Sequence, residues 1–168
     1  MADAGEGASL SLKHGLMIWG VVVFAIVAWI VLGGVALHIQ SFYASFLYGW
    51  YWLNLEKGDF KRIPASLIGA LVGVGLAWAL KGLPGLFPQF GLWLALGLVL
   101  VALLVQIMNW LPIALNTSAM LFLTVIAAPA LLMPLDLIEI TKAIIGAALF
   151  FTAIAYGAHL YVKATTAG

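Results

Sequence analysis

The chain has 168 residues, of which 65% are hydrophobic and 8% charged, with a net charge of +1 and a mean hydropathy of +1.18. A soluble fold of this length cannot hide so much apolar surface, so the composition points to a polytopic membrane protein with one compact domain. The near-neutral charge leaves no electrostatic footprint for nucleic acid. With no cysteine, disulfides, thiolate metal sites, Fe–S clusters and a cysteine nucleophile are all excluded.

Residues 1–12 are small, polar and mildly acidic and read as a short disordered cytoplasmic tail, followed by one transmembrane domain over 13–165. The tail lacks the basic stretch that opens a signal peptide, and the first apolar run is too long for a cleaved segment, so that run is expected to stay as an anchor. Crossing about 30 Å of hydrocarbon takes about 20 residues. Cutting the chain where Gly, Pro and charge collect gives runs at Leu16–Gly34, Leu37–Leu55, Ile63–Leu80, Phe90–Met108, Pro112–Met133 and Leu137–Val162. The connections between them are short, including a turn-rich linker from Lys81 to Gln89 and tight links at Asn109–Pro112 and Met133–Asp136.

The second run is short and aromatic. Its Tyr48 to Trp52 stretch precedes a basic loop, the place for an interfacial aromatic belt; an aromatic-lined binding site is the alternative. The run either crosses the bilayer or turns back as a re-entrant hairpin. If it crosses, Lys13, Lys57, Lys61, Arg62 and Lys163 share one face, against Lys81 on the other. The positive-inside rule then favours an all-α bundle of six transmembrane helices with both termini in the cytoplasm. Six spans divide into two halves of three, and such a 3+3 repeat is inverted, as in several transporter folds. The halves share no convincing identity, but the short second and fifth runs each open with small polar residues: Ser41 and Ser45 in one, Asn116, Thr117 and Ser118 in the other.

Few residues carry chemistry. Ser66-x-x-Gly69-x-x-x-Gly73 places small residues on one face of the third helix, where backbones approach closely. Gly146, Ala147, Gly157 and Ala158 do the same on the sixth. These faces serve either packing within the chain or self-association. Asn116, Met120 and Thr124 share a face of the fifth helix, and with Thr117 and Ser118 they either line a path for a small solute or act as polar glue between helices. Asp136, Glu139 and Lys142 lie on one side of the sixth helix. Asp136-x-x-Glu139 resembles a capping box; its alternative role is the mouth of the path. His14, His38 and His159 sit near helix ends without metal-ligand spacing.

No Gly-x-Ser-x-Gly elbow, HExxH or Walker motif occurs, so neither a catalytic residue, a metal nor a cofactor is assigned and the chain reads as non-enzymatic. The basic turn leading into Pro64-Ala-Ser-Leu-Ile-Gly-Ala-Leu-Val-Gly-Val-Gly-Leu-Ala-Trp78-Ala, with the Pro-led fifth span from Pro112-Ile-Ala-Leu-Asn116 to Ala127, resembles the DUF1097 family of small bacterial inner-membrane proteins. The likeness covers about a third of the chain, and the glycine that the family carries early in the fifth span is missing. It implies a six-span inner-membrane protein of a transport class and supplies no site residues. Two functions are expected from these features: a channel or facilitator for a small solute, acting as a homo-oligomer, or an accessory subunit of a larger membrane complex.

Overall fold

The computed structural model describes residues 12–130 and 136–166. They form six helices: α1 (Leu12–Ala36), α2 (Phe42–Asn54), α3 (Ile63–Leu86), α4 (Gly91–Ile107), α5 (Thr117–Ala130) and α6 (Leu137–Thr166). A short 3-10 turn, Phe60–Arg62, leads into α3, and no strand occurs among the described residues. The expected disordered tail, apart from Leu12, lies outside the described residues, as do the end of the fifth run and the Met133–Leu135 part of the last tight link. Trp19–Ala36, Phe60–Leu86 and Leu137–Tyr161 are long and apolar enough to cross a membrane. The other helices have 13, 17 and 14 residues. At 1.5 Å per residue they span about 20–26 Å, less than the hydrocarbon core of a bilayer.

Several boundaries differ from the sequence expectation, each for a local reason. His38 adopts a left-handed φ of 53°, and the Ile39 N–H turns back to the Gly33 carbonyl at 2.9 Å. That reversal ends α1 and delays α2 to Phe42. The segment after Pro112 forms a turn in which Leu115 N–H reaches the Leu111 carbonyl at 2.8 Å, so α5 begins only at Thr117. Conversely, Lys81–Leu86, expected as a linker, continues α3 through Pro84. Proline crowds the carbonyl four residues back and lacks an N–H, yet here the helix ends two residues later. Gly91 then lets α4 start against the end of α3, because a Cβ there would collide with the Leu83 carbonyl.

The packing follows a crossed pattern. The short helix of each half lies on the long helix of the other half: α2 on α6 and α5 on α3. Likewise α1 leans on α6 and α4 on α3, while α3 and α6 touch each other. Exchanging the halves leaves this pattern unchanged. The long helices carry a matching triplet, Ile68-Gly69-Ala70 and Ile145-Gly146-Ala147, whose alanines are fully buried. The α3–α5 seam is the most extensive. A Cβ at Gly73 would collide with the Ala119 carbonyl, and one at Gly69 with the Asn116 side chain. Around these seams sit Trp29, Tyr48, Trp52, Phe122, Ile126, Ile140 and Ile144, all fully buried. Tyr48, Tyr51 and Trp52 are thus core residues and not an interfacial belt; of that stretch, Trp50 is the aromatic left 55% exposed.

The backbone proximity at Gly73 gives a direct test, with Gly75 on the same helix as control because a Cβ there meets nothing within 4 Å. Gly73→Ala should lower the unfolding free energy in detergent by about 1–3 kcal/mol through overpacking. Gly75→Ala should be neutral or stabilise by up to about 1 kcal/mol through helix propensity. Equal effects at the two positions would show that α3 and α5 are not in close contact.

Candidate functional site

The polar side chains cluster at helix ends, because the first N–H groups of a helix have no partner within it. Asp136 precedes α6, and its Oδ1 accepts from the backbone N–H of Ile138 at 2.9 Å and of Glu139 at 3.0 Å. Glu139 does not fold back to complete a capping box. Its Oε1 crosses to the other half and accepts from the N–H groups of Gln40 at 2.6 Å and Ser41 at 2.5 Å. It therefore caps α2, whose own N-cap residue, Ser41, makes no side-chain cap bond. A carboxylate there also meets the positive end of the α2 dipole.

At the opposite end, Asn116 plays the matching part for α5. Its Oδ1 accepts from Ala119 N–H at 3.2 Å, and its Nδ2 donates to the Ala65 carbonyl of α3 at 2.8 Å. Two serines then staple the crossed pairs. Ser118 Oγ donates to the Ser66 carbonyl at 2.8 Å, and Ser45 Oγ to the Ala143 carbonyl at 3.0 Å. Ser66 Oγ lies 3.1 Å from the Tyr48 hydroxyl and donates to the Ile63 carbonyl at 3.0 Å.

The six residues expected on a solute path are thus brought together only in part. Asn116 and Ser118 meet at the α3–α5 seam, and Asp136 and Glu139 meet at the other end of the bundle. Thr124 is exposed and donates to the Met120 carbonyl of its own helix at 2.7 Å, while Thr117 is exposed in the first turn of α5. Of the small residues assigned to helix interfaces, Ser66, Gly69 and Gly73 face α5, and Gly146 faces Trp29 and Leu37. Gly157 is exposed, with open space beside it.

The end of the bundle that carries the basic loop is built tightly. Lys57 and Gly58, at φ 53° and 68°, turn the chain out of α2. Trp52 Nε1 donates to the Asp59 carbonyl at 3.1 Å, and the Asp59 carboxylate accepts from Lys61 N–H at 2.9 Å. Phe60 packs edge-on against Trp52 and Tyr156 and lies beside His159, which fastens the loop to α6. Arg62 Nε pairs with Glu56 Oε2 at 2.8 Å, and the Tyr51 hydroxyl donates to Glu56 Oε1 at 2.7 Å. Burial pushes the Glu56 carboxyl up, but the Arg62 guanidinium and the Tyr51 hydroxyl outweigh it and hold it below the usual carboxylate range.

Between α1, α2 and α6 lies a groove of about 450 Å³. Val22 and Ile26 form one wall, Phe46 and Trp50 another, and Phe151 and Ile154 the third, with Asn54 the one polar side chain at its edge. None of the path residues lines it, and neither does any titratable group. Among the described residues no three His, Cys, Asp or Glu gather to hold a metal ion. The groove can bind an apolar ligand; it holds no group for acid–base or nucleophilic chemistry. Hydropathy could not reveal it, since its walls read like any other apolar helix surface. No protein-family model, curated protein or solved structure matches the chain.

Two outcomes follow for the polar contacts. Glu139→Ala should destabilise the protein by about 1.5–3 kcal/mol, the range for hydrogen bonds to a charged group. Glu139→Gln keeps an acceptor and should cost less; equal losses in detergent unfolding would remove the charge from the argument. For Glu56 the folded pKa lies below the unfolded value, so its contribution is complete above the ordinary carboxylate pKa. That contribution disappears as pH falls through the lower folded value. The thermal-stability difference between wild type and Glu56→Gln should therefore be constant near neutral pH and vanish under acid conditions. A difference that grows with acidity would reverse the sign and exclude the pairing.

Proposed function

We propose that the chain is a six-span, inverted-repeat protein of the bacterial inner membrane with cytoplasmic termini, and that it serves as a non-catalytic subunit docked to other membrane proteins. The membrane named is the one that the DUF1097 resemblance implies. The observation that carries the functional reading is the engagement of the polar groups. Asn116, Ser118, Thr124, Asp136 and Glu139 are all hydrogen-bonded to backbone groups of the bundle. The buried polar residues among the described ones are three serines, Ser45, Ser66 and Ser118. A solute path needs polar groups turned toward water, and ion-coupled transport usually needs an ionisable group inside the bundle. The outer surface is open to lipid and to a partner helix alike. On α4, Trp93, Leu100 and Ile107 point outward, and α3 is the main neighbour of that helix.

Six crossings are supported by the course of α2. It starts beside Glu139 in the first turn of α6 and ends at the loop whose Phe60 packs on Tyr156. It therefore runs along α6 instead of turning back. Because the chain has no cysteine, single-cysteine labelling tests this directly. Gln40→Cys and Lys61→Cys should be labelled from opposite sides of the membrane; labelling from one side would make α2 re-entrant.

The functional reading is tested by the native mass of the protein extracted gently from its host membrane. Co-migration with other polypeptides at fixed stoichiometry is the expected result. A small integer multiple of 17.9 kDa, with liposome flux that Asn116→Leu and Thr124→Leu abolish, would replace it with a homo-oligomeric facilitator.

A further inference from the structure

We propose that the groove between α1, α2 and α6 holds one acyl chain of an anionic phospholipid, whose phosphate is met by Lys57 and Lys61. The proposal rests on the membrane reading above but not on the subunit role. Four observations carry it. The groove walls are apolar from Ala25 and Phe46 down to Leu53 and Ile154, the chemistry of a hydrocarbon chain. Its lower lining, Leu53, Asn54 and Ala155, adjoins Glu56 and Tyr156, so the groove reaches the end of the bundle that carries the basic loop. Trp50 stands at its edge, 55% exposed, as an aromatic side chain does beside a headgroup.

The fourth observation is the charge balance of the loop. It holds three basic and two acidic residues, a net charge of +1: Glu56 pairs with Arg62 and accepts from Tyr51, while the Asp59 carboxylate accepts from the neutral Lys61 backbone N–H and keeps its charge. The exposed Lys57 and Lys61 make no ion pair among the described residues and outnumber Asp59, and they supply the excess positive charge that meets an anion at the mouth. A zwitterionic lipid fits the groove equally well, but its own cation opposes these lysines. The geometry thus selects for net negative charge in the headgroup while the groove selects for the chain.

The test uses the full-length protein in phosphatidylcholine vesicles doped with phosphatidylglycerol or phosphatidylcholine carrying brominated acyl chains, which quench tryptophan on contact. The Trp50 signal is the difference between wild type and Trp50→Phe. Half-quenching should need less brominated phosphatidylglycerol than brominated phosphatidylcholine, by about fivefold for each lysine that meets the headgroup. Lys57→Gln with Lys61→Gln should remove the preference and leave quenching by both lipids. Val22→Phe, and independently Ile154→Phe, should fill the groove and remove the preference with the lysines intact, helical content being checked by circular dichroism. Equal quenching of wild type by the two lipids would overturn the proposal. So would a preference that survives both groove-filling variants, since the lipid would then be held only by the loop. Shielding of Trp50 from either lipid while Trp93 is quenched would show the groove covered by protein, for example by a second copy. If no tryptophan is quenched, the membrane reading itself fails.

Discussion

Three of the six helices, α2, α4 and α5, are shorter than an apolar slab is thick, and the backbone groups at their starts must still be satisfied. The first N–H groups of any helix lack an internal partner. In surroundings without water each such group costs several kcal/mol if left alone. The structure answers this at α2 with an acceptor borrowed from α6 and at α5 with the residue that precedes the helix. Glu139 reaches across from α6 to α2, and Asn116 caps α5 while gripping α3. Ser45 and Ser118 add one bond each in the same crossed sense. The two shortest helices, α2 and α5, are therefore pinned to α6 and α3, and α1 and α4 lean on what results.

The glycine stripe on α3 belongs to the same solution. Gly69 is where a Cβ would strike the Asn116 amide, so its bare backbone makes room for the cap as well as for close packing. Gly73, one turn on, lets the α5 backbone approach at Ala119. The other half uses its small residues differently. Gly146 admits the indole of Trp29 from α1, which also packs against Phe150 and Phe151. An indole is much bulkier than the alanines, Ala95 and Ala102, that α4 buries. It fills the space between α1 and α6 beside Gly146, and the groove opens further back along α1, at Val21 to Ile26.

This division explains what the sequence disclosed. Hydropathy located the long helices, α1, α3 and α6, because length and apolarity alone identify a membrane-crossing helix. It could not say which face is buried: in lipid the outward face is as apolar as the inward one, so no amphipathic stripe marks the core. Small residues mark it instead, as at Ala44, Ala70, Ala77, Ala119 and Ala147, all fully buried. The Ser66-Gly69-Gly73 pattern was visible for that reason, although its partner, α5, was not. The aromatic stretch misled because Tyr and Trp suit both an interface and a core with hydrogen-bond acceptors, and here Ser66 and the Asp59 carbonyl provide those acceptors. Glu139 was legible as a helix-start residue, while the helix it caps lies 98 positions away in sequence, beyond any local rule.

The crossed arrangement also bears on where function resides. In transporters built from inverted repeats the substrate site lies at the repeat interface, lined by interrupted helices and exposed backbone. Here α3 and α6 are continuous helices, and the core cluster they share consists of alanine, branched aliphatic and aromatic side chains such as Ala70, Ala77, Ala143 and Ile144. The shared framework is thus closed. What distinguishes the halves lies off that axis: the bulky Trp29 of α1 against Ala95 and Ala102 of α4. The groove lies beside α1, between it, α2 and α6, and runs toward the loop that carries Lys57 and Lys61. The chain thus closes its core between α3 and α6 and leaves its apolar cleft at the periphery, beside a loop of net positive charge.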